Sequence, residues 1–231
     1  MRNFGERFLT LLIAASAATT AASVIYRTFI AKPVPRTAKA KPDFIPSWRD
    51  ALPIGIRVGD STARATIVEF VDLECPPCRG FQRTVRELLA ERASSVSVVY
   101  VSFPLPMHRF ALSAARAADC ADKQGDFRKW MDEVFEKQDS LGMKSWGSLA
   151  HEAGIRDTAR IARCATDPRP VERIVAGRAL GTKISVSGTP TVIVNGWRFP
   201  DTPSKEELER AIEAVNAGRA PFDSSRKQAS K

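Results

Sequence analysis

The sequence predicts a mixed α/β domain in which a β–α–β half and a β–β–α half enclose a block of helices. Three observations predict it. An apolar, β-branched run at Thr66–Val71 leads within a few residues into an amphipathic segment. A second apolar run, "VSVVYVSF" at Val96–Phe103, is stopped by Pro104 and Pro106. Strand character then disappears until "TPTVIVNG", which follows Gly188.

Taken in order, the chain opens with Arg2 and Arg7 and then carries no charge from Phe8 to Tyr26. A basic start, an apolar centre and small residues at Ala15, Ala17 and Ala22 are the layout of an export signal, assigned to residues 1–31. The uncharged run is also about long enough to cross a bilayer as an uncleaved anchor, although its Ala, Ser and Thr content makes it a weak span. Residues 32–58 are rich in proline and lysine and read as an extended linker, with Trp48 and Leu52 as candidates to dock on the domain edge. The folded domain is expected over 59–217, with a helical insertion at about 104–183 and a basic, flexible tail at 218–231.

Within that domain Thr66–Val71 is a strand, and the helix after it carries Phe81, Val85, Leu88 and Leu89 on one face. Val96–Phe103 is a second buried strand. Met107–Gln124 and Asp126–Gln138 are amphipathic, and Phe127, Trp130, Met131, Val134 and Phe135 of the latter belong to the core. Shorter helices follow at Ser145–Ala153, Thr158–Ala165 and Val171–Leu180. "TPTVIVNG" then gives a strand and a turn at Asn195–Gly196, "WRF" its partner, and Glu206–Val215 a closing helix.

With 231 residues and 44% apolar content the chain can build a sizeable core. The net charge of +9 looks like a nucleic-acid signal until it is located. Residues 1–58 hold nine Lys/Arg against three acids and 219–231 hold four against one, which leaves 59–218 neutral with 22 charges of each sign. A neutral body with basic arms argues against a nucleic-acid partner.

Four cysteines remain, and outside the reducing cytosol an even count permits full pairing. Cys75 and Cys78 form a Cys-x-x-Cys at the junction of a buried strand and an amphipathic helix. There the free N–H groups and the dipole of the helix start favour a thiolate on the first cysteine, which makes its disulfide easy to exchange. The second cysteine lies one turn on and can resolve a mixed disulfide. Pro76 and Pro77 fit the first helical turn but remove two donors that could otherwise solvate Cys75. Zinc would need two further ligands from Cys120, Cys164, His108 or His151, none in a second close pair, so no metal is expected. As a structural staple, a loop this short gains little chain entropy from closure. Thr189–Pro190 stands at the mouth of the later strand, where a cis bond would expose the Thr189 backbone to a substrate peptide; a trans proline starting a strand is the plain alternative.

"EFVDLECPPC", the helical insertion and "GTPTVIVNG" together resemble the DsbA-like thiol–disulfide oxidoreductases of the thioredoxin fold, over roughly Gly59 to Val215. The resemblance implies Cys75 as the exposed nucleophile, Cys78 as the buried resolving cysteine and Pro190 as a cis-proline beside Thr189. It implies that Glu69, six residues before Cys75, is a buried acid that shuttles a proton for the second cysteine. The residues alone leave Glu69 open: an acid inside "TIVEFV" is costly to bury unless used or paired, and it could instead face an edge. The family's strong oxidants carry Pro-His between the cysteines where this chain has Pro-Pro, which bears on the direction of electron flow.

Cys120 and Cys164 each follow apolar helical positions and point into the insertion. A bridge between them would close a loop of about 45 residues, worth roughly 4 kcal/mol in the chain-entropy model; two separate buried thiols are the alternative. Export favours the bridge, in a structural role. His108 stands after the second strand and could tune Cys75, or cap a helix, or lie exposed. The expected protein is an exported, periplasmic thiol–disulfide oxidoreductase, tethered to the inner membrane if residues 8–26 are retained, with no cofactor beyond its redox-active disulfide. Its expected partners are exported cysteine-containing clients and a membrane redox protein that recycles the pair. Oxidation is the preferred direction; a reductase or isomerase, and a non-catalytic peptide-binding module, are the other readings.

Overall fold

The computed structural model describes residues 2–26 and 41–222. Helix α1, Arg2–Ile25, forms a unit separate from the domain that begins at Lys41. Among the described residues no helix is long and apolar enough to cross a membrane. The tether expected through residues 8–26 therefore gains no support, because Ala, Ser and Thr dilute the apolar character of α1.

The domain is built on one six-stranded sheet in the order β1-β6-β5-β3-β4-β2. The strands are β1 (Asp43–Phe44), β2 (Ile56–Gly59), β3 (Ala65–Val71), β4 (Val96–Ser102), β5 (Thr191–Val194) and β6 (Trp197–Arg198). β3 is buried along its whole length, as a strand covered on both faces must be, and its near-continuous apolar sequence reflects this. It runs parallel to β4, across the crossover helix α2 (Pro76–Glu91), and antiparallel to β5. Alternation along β3 sorts its side chains: Ile67 and Val71 join the core beneath α2, whereas Val68 and Phe70 join the core on the opposite face.

On the α2 face Phe81, Val85, Leu88 and Leu89 are buried, the four positions their helical spacing selects. The closing helix α8 (Lys205–Asn216) starts with a capping box between Ser204 and Glu207 and buries Leu208, Ala211 and Ile212. The insertion comprises α3 (Ala111–Asp122), α4 (Phe127–Glu136), α5 (Trp146–Glu152) and α6 (Thr158–Thr166). Its core is continuous with the one under α2 through Phe127, Trp130, Met131, Val134 and Phe135. Cys120 on α3 and Cys164 on α6 are bonded, with Cα atoms 6.2 Å apart.

Two boundaries differ from expectation. The segment assigned to a linker is part of the domain from residue 41: β1 pairs with β6, β2 pairs with β4, and Trp48 is 4% exposed with Leu52 packed beside it. Strands of two and four residues have no periodicity to read, and their pairing partners lie more than 40 positions away (Ile56 with Tyr100) or far beyond (Asp43 with Arg198). Residues 27–40 lie outside the described residues, as do 223–231 of the basic tail, while Phe222 packs on Trp197 and Phe199. The insertion also ends earlier than 183. Helix α7 (Glu172–Lys183) leaves the helical block and packs on the far face of the sheet against β4, where Leu180 and Ile184 meet Val99 and Val101.

That approach depends on a residue without a side chain. A Cβ at Gly177 would stand 2.6 Å from the Ser102 carbonyl oxygen, a backbone atom that cannot swing aside. Gly→Ala within a helix ordinarily stabilises by about 1 kcal/mol. Here the sign reverses: Gly177→Ala is expected to destabilise the domain by roughly 1–3 kcal/mol through overpacking. Urea unfolding at fixed redox state measures it, and a gain in stability would contradict the close packing.

Candidate active site

Three loops meet at one end of the sheet because of the strand register. Val71 at the end of β3 lies opposite Ser102 at the end of the parallel β4, and Phe70 lies opposite Thr191 at the start of the antiparallel β5. The segment after β3 carries the two cysteines, the segment before β5 carries Thr189 and Pro190, and the segment after β4 carries His108.

Cys75 occupies the N-cap position of α2 with extended backbone angles, φ −79° and ψ 118°. The turn before it is closed by its own N–H, which donates to the Asp72 carbonyl at 3.1 Å. Pro76 and Pro77 follow as the first helical residues and offer no N–H, so the first backbone donor available to the Cys75 sulfur is that of Cys78. The Thr189–Pro190 bond is cis, and the Cys75 thiol donates to the Thr189 carbonyl at 3.2 Å. Cysteine pair and proline loop, 114 residues apart, are thus in direct contact.

Both cysteines are unbonded and buried. Cys75 is only 5% exposed, which corrects the expectation of an exposed nucleophile. The Thr189 carbonyl lies on its sulfur, and its side chain joins the apolar cluster of Val71, Leu73 and Phe81. The two thiols are driven apart in acidity. Hydrogen bonding from the Cys78 thiol, helped by the Thr189 side chain and the Cys78 N–H, outweighs burial and the Asp72 charge and lowers Cys75 from a usual 9.0 to about 6. Burial, then the bond to Cys75 and the charge of Glu69, push Cys78 well above the usual thiol range. One sulfur is poised as thiolate and leaving group while the other holds its proton.

Glu69 is wholly buried on β3, on the α2 face with Ile67 and Val71, and neither carboxyl oxygen has a hydrogen-bond partner among the described residues. Burial, with a smaller contribution from Cys75, raises its pKa well above the carboxylate range and so favours the protonated acid. The reading of Glu69 as an edge residue fails because β3 has a neighbour on both sides. Two supporting residues had no signal in the sequence. Gln138, buried after α4, donates through Nε2 to the carbonyls of Leu73 at 2.9 Å and Cys75 at 3.1 Å, tying the insertion to the active turn. Asp72 holds the turn from within, accepting the Glu74 N–H at 2.8 Å. A lone Gln in a helical run and an acid at a strand end carry no pattern until tertiary contacts bring them to the turn. The bridged Cys120 and Cys164 belong to the insertion rather than to this site, and His151 is exposed. Among the described residues no group of three or more His, Cys, Asp or Glu side chains is placed to hold a metal ion.

The Thioredoxin family model matches residues 52–214. The chain belongs to the thioredoxin family. Its fold is shared by a thioredoxin-like oxidoreductase from Silicibacter pomeroyi, 26% identical at a TM-score of 0.62, with 73% of this chain and 98% of that one covered. BdbD from Bacillus subtilis aligns at 21% identity and a TM-score of 0.64, covering 72% and 95% of the two chains. The α-DsbA1 of Wolbachia pipientis aligns at 19% identity and 0.61, covering 72% and 92%. The family is thus thioredoxin, and the fold is the one that the DsbA-type structures share. Sequence relatives include a protein named Na(+)/H(+) antiporter NhaA 3 from Salinispora tropica, 36% identical over 155 residues, or 67% of this chain. The chain spans about a quarter of the length of the curated relatives it matches.

Two outcomes follow for this site. Alkylation of reduced protein at Cys75 should titrate with a midpoint near 6, and Cys78→Ala, which deletes the largest stabilising bond, should move the midpoint up by about one unit; an unmoved midpoint would disprove that bond. Glu69→Leu removes an unpartnered buried acid and should stabilise the fold by roughly 1–3 kcal/mol. Because the folded protein holds this proton to a higher pH than the unfolded chain, which loses it near 4.5, the wild type loses stability as pH rises above that value, and the variant's gain should grow there. Urea unfolding at pH 4 and pH 7 tests the sign.

Proposed function

We propose that this chain is an exported protein disulfide oxidase that exchanges a Cys75–Cys78 disulfide with the cysteines of client proteins. The observation that carries the reading is the contact of the Cys75 sulfur with the Thr189 carbonyl, 3.2 Å away and next to the cis Pro190. An extended client strand can pair with the backbone at Thr189 while its sulfur meets Cys75.

In the oxidised form a client thiolate attacks Cys75 Sγ, the Cys75–Cys78 bond breaks, and its electron pair goes to Cys78. Cys78 takes up a proton, consistent with its raised affinity for one, and the buried Glu69, whose own pKa burial raises, is the nearby acid that can supply it. A second client thiolate then attacks the client sulfur of the mixed disulfide and Cys75 departs as a thiolate. The client gains a disulfide, and both electrons remain in the Cys75–Cys78 dithiol. The lowered pKa of Cys75 favours this direction, because a stable thiolate stabilises the reduced form and makes the disulfide more oxidising.

A membrane redox protein is the proposed acceptor of those electrons. Export to the periplasm is supported by Arg2, Arg7 and the uncharged run from Phe8 to Tyr26; a retained tether is not part of the proposal. A reductase or isomerase would use the same residues with the dithiol as its resting state.

Cys75→Ser should abolish oxidation of a reduced, unfolded client, and Cys78→Ala first converted to a Cys75–glutathione mixed disulfide should exchange with a client thiolate, releasing glutathione and accumulating client disulfide-linked to Cys75, both read by non-reducing gel. Equilibration with glutathione should give a potential well above roughly −270 mV; a value near that would overturn the oxidase direction.

A further inference from the structure

Two of the loops at the active end are joined through one side chain. Asp72 stands three residues before Cys75, with its side chain wholly buried. Its Oδ1 accepts the Glu74 N–H at 2.8 Å, and its Oδ2 accepts the Leu105 N–H at 2.8 Å and meets His108 Nδ1 at the same distance. Its main-chain carbonyl accepts the Cys75 N–H at 3.1 Å. One residue therefore fastens the turn that carries Cys75 to the segment after β4 that carries His108. Glu74 adds a second tie, its carboxylate accepting the Phe110 N–H.

The arrangement contains more charge than a clamp needs. Asp72 on its own works against a thiolate on Cys75. Pro76 and Pro77 contribute neither a donor nor a positive side chain to relieve it. His108 meets this carboxylate and can carry a positive charge against it, with 21% of its side chain exposed. Burial disfavours the charged ring, yet the bond and charge of Asp72, then Cys75 and Glu74, outweigh it and raise the imidazole above its usual value. The groups that bear on Cys75 are thus Asp72 from its own turn, Cys78 from α2, Glu69 from β3, Thr189 from the segment before β5 and His108 from the segment after β4.

We propose that Asp72 and His108 are a positioning pair that holds a positive charge beside Cys75 and stabilises its thiolate in place of the donors the two prolines remove. The pair acts through Cys75, so the inference rests on the reading of Cys75 as the exchanging sulfur. A bare clamp would need only the hydrogen bond; this pair also needs the proton on His108.

His108→Gln keeps a donor for Asp72 and removes the charge; His108→Arg keeps both. In the glutamine variant the midpoint of Cys75 alkylation should rise by roughly half a unit, a threefold change in thiolate equilibrium, and the glutathione equilibrium should become about threefold less oxidising. In the arginine variant both should stay at the wild-type value. An unchanged midpoint in the glutamine variant overturns the proposal, and so does an equal rise in both variants, which would make His108 a loop anchor alone. A second measurement needs no substitution at His108. Because coupling is reciprocal, Cys75→Ser should lower the imidazole titration of His108 followed by NMR, and an unmoved titration overturns the pairing. Neither the alkylation midpoint nor the imidazole titration uses a client protein, so a chain that fails to oxidise clients would count against the proposed function while leaving both readouts of the pair intact.

Discussion

The hydrogen bond from the Cys75 thiol to the Thr189 carbonyl depends on one constraint, the register of β3 between a parallel β4 and an antiparallel β5. That register brings the exit of β3, the exit of β4 and the entry of β5 to the same end of the sheet. A slip of one residue on either side would turn Glu69, Ile67 and Val71 toward the wrong face and carry the cysteines away from Pro190. Burial of β3 on both faces makes such a slip costly, so the apolar run that reads so plainly in sequence is also what aims the site.

At that end the protein tolerates an unfavourable arrangement. An acid with no partner lies in the core, and two thiols share one site with opposed acidities. Groups whose environments push their proton affinities apart are what stepwise proton and electron transfer requires. The surrounding structure holds them in place: Gln138 grips the active turn from the insertion, Asp72 grips it from within, and Cys120–Cys164 fastens α3 to α6. The helical block is thereby an attached wall of the site rather than a separate appendage.

Cys75 is less open than a nucleophile in free contact with water would be, and this follows from the same contact that identifies the site. A strand-like backbone laid against the sulfur hides it. A client that takes over those backbone contacts would approach along the Thr189 edge, so concealment of the sulfur and recognition of a client have one geometric origin.

Most of the fold was legible because its signals are local. The spacing of Phe81, Val85, Leu88 and Leu89, the β-branched runs and the prolines that end them depend on neighbours a few positions away. The cysteine pair and the Thr-Pro turn were legible for the same reason: a helix start and a strand start impose their chemistry on adjacent residues. The edge strands β1 and β2, the return of α7 to the sheet, the coverage of Cys75, and the meeting of Asp72 with His108 and of Gln138 with the active turn were not. Each arises from residues more than thirty positions apart, whose encounter is set by strand order and helix packing. Sequence by itself determined which residues could carry redox chemistry, through local geometry; tertiary structure alone decided how each is charged and how far it is hidden, because desolvation and Coulomb interaction depend on distances in space.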